Sequence, residues 1–149
     1  RSADGTVLDR LTDRFGLRKL VIEGPFFILN GARHFMHGMG DDYGYAETQA
    51  PPMNATVYKQ LFDAFSEFGF NYIRLHSHWE SPGYFDAADE HGFFVSPGLP
   101  SNCNTPACMN LTLRTWNTLI STHRNNPSVM DACMGNEGYG KIASCCHSY

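Results

Sequence analysis

The pair Asn136-Glu137 stands between Gly135 and Gly138, directly after the mostly apolar run Val129-Met130-Asp131-Ala132-Cys133-Met134. A carboxyl beside a neutral amide is equipped for general acid–base work. It can protonate a departing oxygen and later take a proton from an attacking water, while the amide donates to a neighbouring hydroxyl. Such pairs also arise as ordinary solvated loop residues, so the surrounding elements decide what this one means. A second candidate group is Arg74-Leu75-His76-Ser77-His78, at the end of another apolar stretch. Extended chain alternates its side chains, which predicts that Arg74, His76 and His78 share one face. Asp41-Asp42, in the loop between Gly40 and Gly44, is the third.

These residues need strands to present them, and the pattern supplies strands alternating with helices. Lys19–Ile22 and Phe26–Leu29 read as short strands, and Asn30-Gly31 between apolar runs is a strong hairpin signal because both residues tolerate positive φ. His34–Met39 reads as a further strand. Val57, Leu61, Phe65 and Phe68 recur at helical spacing and Gly69 stops them. Asn71–Leu75 is a strand, Pro82 opens a helix that Gly92 closes, Phe93–Ser96 is a strand, Leu111–Thr122 is a helix, and Val129–Met134 is a strand. Alternation with short connections predicts parallel βα units, with strands at 34–39, 71–75, 93–96 and 129–134. In such sheets the polar residues just past the strand C-termini converge on one mouth. That rule gathers Gly40-Asp41-Asp42, Arg74 to Glu80, Pro97 to Asn102, and Asn136-Glu137.

Composition narrows the partners. The net charge of −4, without any run of Lys or Arg, speaks against nucleic acid and anionic membranes. No apolar stretch has the length of a membrane span, and no charged-then-apolar leader is visible at the start. The five cysteines fit neither a zinc pattern nor a disulfide scaffold; Cys103 and Cys108 flank a Pro-containing loop, where they can pair or remain thiols. Asn54-Ala-Thr56 and Asn110-Leu-Thr112 are glycosylation sequons, which permit secretion without showing it. Compartment and oligomeric state stay open.

The order of motifs carries more. His123-Arg124-Asn125-Asn126-Pro127-Ser128-Val129 followed by Met134-Gly135-Asn136-Glu137 resembles the signature of glycoside hydrolase family 2, the β-galactosidase/β-glucuronidase type. Gly69-Phe70-Asn71-Tyr72-Ile73-Arg74-Leu75-His76-Ser77-His78 is similar to that family's second barrel strand, and Phe85-Asp86-Ala87-Ala88-Asp89-Glu90-His91-Gly92-Phe93 to its next helix-to-strand junction. Phe15-Gly16-Leu17-Arg18 and Leu29-Asn30-Gly31 resemble the exit from a preceding immunoglobulin-like domain and the entry into the barrel. The likeness runs over about residues 14–140.

That resemblance implies an α/β fold. Residues 1–18 would end a β-sandwich domain, 19–140 would form the N-terminal half of a TIM barrel with about four βα units, and 141–149 would be an atypical tail. It implies a retaining O-glycosyl hydrolase acting on carbohydrate. Glu137 would be the acid/base, Asn136 the amide on the sugar's 2-hydroxyl, Arg74 the cation that keeps a nucleophilic carboxylate ionised, and His78, Asp41 and Asp42 further sugar contacts. By counting, the family's substrate-contacting His falls at Ser77, and His78 is preferred over His76 by one step. No organic cofactor is needed and no metal is expected, since the position of a family Glu after the third strand is taken by Gly98. The nucleophile belongs to a later strand that this chain does not include, so a truncated gene product or frame break after Asn136-Glu137 is the expectation.

Two other readings remain. His76-x-His78 suggests a metal-dependent hydrolase, but no downstream ligand set accompanies it. A catalytically inactive sugar-binding or relic chain fits the presence of only one carboxyl with a recognisable motif, and a half barrel leaves two sheet edges unpaired.

Overall fold

The computed structural model describes residues 2–42, 44–46, 48–99, 105–133 and 146–148. It is a small α/β structure. An antiparallel meander comes first: β1 (Leu20–Glu23), β2 (Phe26–Leu29) and β3 (Ala32–His34). The expected hairpin lies between β2 and β3, where Leu29 pairs with Ala32 and the two loop residues, Asn30 and Gly31, have φ of 51° and 87°. Positive φ at both loop positions is what a type I′ turn requires, and this pair of residues tolerates it cheaply.

A parallel sheet follows in the order β4 (Gly38–Asp41), β5 (Tyr72–Leu75), β6 (Phe94–Ser96), with α1 (Ala55–Glu67) and α2 (Pro82–His91) as crossovers. α3 (Pro106–His123) leads to β7 (Asp131–Cys133). β7 adjoins the sheet through parallel bridges, Val129 beside Val95 and Cys133 beside Gly98, and also pairs antiparallel with β8 (Cys146–Ser148). The strands expected at 71–75, 93–96 and 129–134 are thus present in shortened form.

The strand expected at 34–39 is not continuous, and Asn71 explains the break. Its side-chain carbonyl accepts from the His37 N–H at 2.9 Å and its amide donates to the Phe35 carbonyl at 2.8 Å. Those bonds satisfy the backbone of a corner at residues 35–37, which lets β3 finish in the meander and β4 begin in the parallel sheet. Phe35, which extended the apolar pattern, is 81% exposed.

Helix boundaries follow local chemistry. Asn54 caps α1, its side-chain oxygen accepting from the Thr56 N–H, and Thr105 does the same for α3 toward Cys108. Pro82 and Pro106 occupy the first turns of α2 and α3, where the missing N–H costs nothing. α3 begins a turn earlier than the apolar spacing indicated, because Thr105-Pro106 is itself the start signal. Cys108, in that first turn, is disulfide-bonded; Cys103, for which the sequence left pairing and a free thiol both open, lies outside the described residues.

The core fills the space between the helices and one face of the parallel sheet. Tyr58 and Phe62 of α1, Tyr84, Phe85, Ala87 and Ala88 of α2, and Ile73, Leu75, Phe93 and Val95 make one buried cluster. Phe62 is its hub, meeting Tyr84 at 5.0 Å and Phe93 at 4.9 Å edge-on, the arrangement that sets a ring's positive edge against a negative face. The segment before β1 is strapped across this body. Arg18 donates to the carbonyls of Pro127 (2.7 Å) and Val129 (2.6 Å), and Arg14 pairs with Glu90 at the surface. Phe62→Ala is expected to cost about 3–5 kcal/mol, since it empties a site that no neighbour can collapse into. Urea unfolding followed by circular dichroism checks this; a loss below about 1 kcal/mol contradicts the assigned hub.

Candidate functional site at the strand ends

Register sorts the candidate residues onto two faces. Gly40, Arg74 and Ser96 lie abreast, as do Asp41 and Leu75. Ile73, Leu75 and Val95 are buried against the helices, so Asp41 shares the helix side, whereas Arg74 and Ser96 take the opposite face. The two groups expected to converge at one mouth are therefore divided by the sheet itself.

On the face away from the helices, Asp131 hydrogen-bonds Ser96 and feels the charges of Arg18 and Arg74. Burial is the dominant influence on it and pushes its carboxyl pKa up, outweighing the Ser96 bond and the two arginines. Its Oδ1 has no hydrogen-bond partner among the described residues. Asp89 of α2 sets where this strand begins. Its carboxylate accepts from the Ser128 N–H at 2.9 Å and the Asn126 amide at 2.7 Å, pinning the turn that precedes Val129.

On the helix side, the chain leaving β5 does not stay extended. Ser77 has φ of 61°, a left-handed conformation that a serine adopts only at a cost. Strand alternation therefore stops at Leu75 and cannot assign faces to the histidines. His76 turns outward, its Nδ1 2.6 Å from Oδ1 of the exposed Asp42. His78 turns inward, its Nδ1 3.0 Å from the His76 carbonyl and its Nε2 3.4 Å from Oε1 of Glu80.

Glu80 is 5% exposed, a buried carboxylate. Its Oε1 accepts from the Tyr45 hydroxyl at 2.7 Å, and the Tyr58 hydroxyl lies 3.2 Å from its Oε2. Tyr58 has one proton to give and the Pro52 carbonyl is nearer, at 2.7 Å, so Oε2 is weakly served. Glu80 also stands just before Ser81, the N-cap of α2, where the helix dipole favours negative charge. Burial opposes charge on His78, but Glu80, the His76 carbonyl and Asp41 outweigh it and raise its pKa. One oxygen of Asp41, one ring nitrogen of His78 and one oxygen of Glu80 all lie within 4.8 Å of each other.

Gly98 packs against the same turn. A Cβ there would meet the Leu75 carbonyl at 3.2 Å and the Ser77 nitrogen at 3.4 Å. The missing carboxylate at this position thus coincides with a close backbone approach that leaves little room for a side chain.

Of the sequence-predicted residues, the structure brings Asp41 and His78 together, puts Asp42 with His76, and sets Arg74 on the other face near Asp131. Asn136 and Glu137 lie outside the described residues. Glu80 and Asp131 were not singled out. For Asp131 the signal was an acid inside an apolar strand; for Glu80 it was an acid flanked by aromatics just before a Ser-Pro helix start. Among the described residues no helix is long and apolar enough to cross a membrane.

Comparison with known proteins agrees with the motif order. No family model matches the chain. A protein named as a β-glucuronidase from Formosa agariphila is 28% identical over 145 residues, which is 91% of this chain and 17% of that protein. A β-galactosidase from Lactococcus lactis is 24% identical over 147 residues, covering 91% of this chain and 15% of the relative. A crystal structure of a β-glucuronidase from Parabacteroides merdae superimposes with a TM-score of 0.74 at 26% identity, over 84% of this chain and 16% of that one. The chain is similar to glycosidases of the β-glucuronidase/β-galactosidase type, and its likeness to glycoside hydrolase family 2 holds in sequence and in fold. It spans about a sixth of the length of these relatives.

Asp131 generates a prediction with a definite sign. Its folded-state pKa lies above the ordinary value of 3.8, so the folded chain binds this proton more tightly than the unfolded chain does. The buried charge is a penalty at neutral pH, and the penalty fades as pH falls through the folded-state pKa toward 3.8. Asp131→Asn, which keeps an acceptor for Ser96, is expected to raise the melting midpoint at pH 7. The advantage should shrink as pH approaches 4. Melting curves across that range check it, and a variant less stable than wild type at pH 7 contradicts it.

Proposed function

We propose that the chain is the N-terminal half of a (β/α)-barrel glycosidase domain, preceded by the last residues of a β-sandwich domain, and that in the complete enzyme it contributes the acid/base to hydrolysis of a β-glycoside with retention. Glu137 first protonates the leaving oxygen and then deprotonates the attacking water. Asn136 holds the 2-hydroxyl of the sugar. Arg74 faces the barrel interior and pairs with carboxylates there. Asp42, just past the end of β4, contacts the sugar's other hydroxyls, whereas Asp41 and His78 lie on the helix side of the sheet. The observation that supports this reading is the parallel order β4-β5-β6, with a fourth strand bridging at Val129 and with Asp41 and Arg74 near the C-terminal ends of β4 and β5. The likeness to a β-glucuronidase at 26% identity supports the same reading.

A retaining mechanism needs two carboxyls about 5–5.5 Å apart, and the motif at residues 136–137 supplies one of them. The 149-residue chain by itself is therefore expected to bind sugar weakly at most and to release no 4-nitrophenol from aryl β-glucuronides or β-galactosides. Robust hydrolysis by the isolated chain contradicts the half-site assignment. In a full-length enzyme carrying this segment, Glu137→Gln should lower kcat by about 10²–10⁴-fold, with the smallest loss on substrates whose leaving group needs no proton. A Glu137→Gln enzyme at wild-type rate removes the acid/base role.

A further inference from the structure

Glu80 presents an electrostatic problem that the sugar-site reading does not use. Its carboxylate is buried, and among the described residues it pairs with no lysine or arginine; its basic neighbour is the imidazole of His78. Among the described residues its secure neutral donor is Tyr45, because the Tyr58 proton is contested by the Pro52 carbonyl. Asp41 adds a second carboxylate on the same side of the sheet, within 4.8 Å of both. Two carboxylates held this close to one imidazole form a donor set that a cation can join.

His78 is oriented as metal-binding histidines are. Its Nδ1 donates to the His76 carbonyl, which fixes the tautomer and directs the Nε2 lone pair at the carboxylates. Tyr45 and Tyr58 on Glu80 then act as the outer hydrogen bonds that hold a ligating carboxylate in place. Independent of these is Tyr84. It is 0% exposed, its hydroxyl has no hydrogen-bond partner among the described residues, and the charges it feels most are those of Asp41 and Glu80. A buried hydroxyl left open toward two carboxylates is in place to meet a third species between them.

We propose that Asp41, His78 and Glu80 bind a divalent cation, with the Tyr84 hydroxyl facing it. One imidazole with two carboxylates suits Mn2+ or Zn2+ better than Mg2+ or Ca2+, which favour all-oxygen shells. Ligand atoms about 2.0–2.2 Å from an ion sit roughly 3–4 Å apart, so from separations within 4.8 Å the side chains need to close by about 1–2 Å at most. The cation neutralises Glu80, fixes the left-handed turn at Ser77 between its two histidines, and takes Asp41 and His78 out of direct contact with sugar hydroxyls. The site does not depend on the glycosidase reading, because its ligands lie on the helix side of the sheet.

Mn2+ is the probe, since thiols and exposed imidazoles compete for it less than for Zn2+. EDTA-treated chain is titrated with MnCl2 and free Mn2+ is read by electron paramagnetic resonance. One saturable Mn2+ per chain is expected, with affinity reduced about tenfold or more in Asp41→Asn and unchanged in Asp42→Asn, whose side chain holds the exposed His76 instead. In the wild-type chain, substoichiometric Mn2+ should broaden the His78 and Tyr84 ring resonances before those of His76, a readout that needs no variant. Absence of saturable binding, equal affinity in Asp41→Asn, or broadening at His76 first overturns the proposal. Binding is measured without sugar, so a glycosidase assay can fail while this site stands, and the reverse.

Discussion

The strand ends stand where they do because α1 and α2 bury an aromatic layer against one face of a three-stranded parallel sheet. Tyr58, Phe62, Tyr84 and Phe85 are fully excluded from solvent there, together with Ile73, Leu75 and Val95. Full burial of each such side chain is worth about 1.5–3 kcal/mol before entropy is charged, so among the described residues no other contact competes with this one. It also fixes parity. A one-residue slip of β5 would turn Ile73 and Leu75 to the open face and bring Arg74 into an apolar layer. Position at the site is a consequence of hydrophobic register.

Polar anchoring then refines what register sets coarsely. Asp89 holds the turn before the fourth strand through two hydrogen bonds, and Arg18 clasps the carbonyls on either side of Ser128. Both are charged groups bonded to backbone, worth more than the exposed Arg14 and Lys59 pairs with Glu90, which solvent screens. The start of the fourth strand is thereby tied to α2 and to the segment before β1. These ties explain why motifs far apart in sequence, Arg14-Phe15-Gly16-Leu17-Arg18, Asp86 to Glu90, and Asn126-Pro127-Ser128, occur together: they are the two sides of one joint.

Much of this was legible in the sequence because it is local. Turn residues punctuate the chain at Asn30-Gly31, Gly69, Pro82 and Gly92, and between them apolar spacing separates helix from strand. The break at residues 35–37 was hidden, since it depends on Asn71, distant in sequence, satisfying the backbone at Phe35 and His37. The histidines were hidden for a related reason. Alternation assigns His76 and His78 to one face only while the chain stays extended, and Ser77 ends that at φ of 61°. Glu80 was the hardest. Nothing local distinguishes a buried acid before a helix from a solvated one; its burial is made by Tyr45 and Tyr58 arriving from elsewhere.

Parity also separates charge. On the open face, Arg18 and Arg74 both act on the carboxylate of Asp131, a group that burial makes reluctant to ionise. On the helix side, Asp41 and Glu80 face one imidazole, an excess of negative charge. Three residues of β5 and its exit, Arg74, His76 and His78, thus meet three different environments: a cationic face, the exposed Asp42, and a buried acidic cluster. A group that must hold a reacting carboxylate ionised belongs on the first, and a group that must steady a cation belongs in the last. Arg74 and the cluster of Asp41, His78 and Glu80 therefore do not share one set of side chains, because the sheet places a layer of backbone between them.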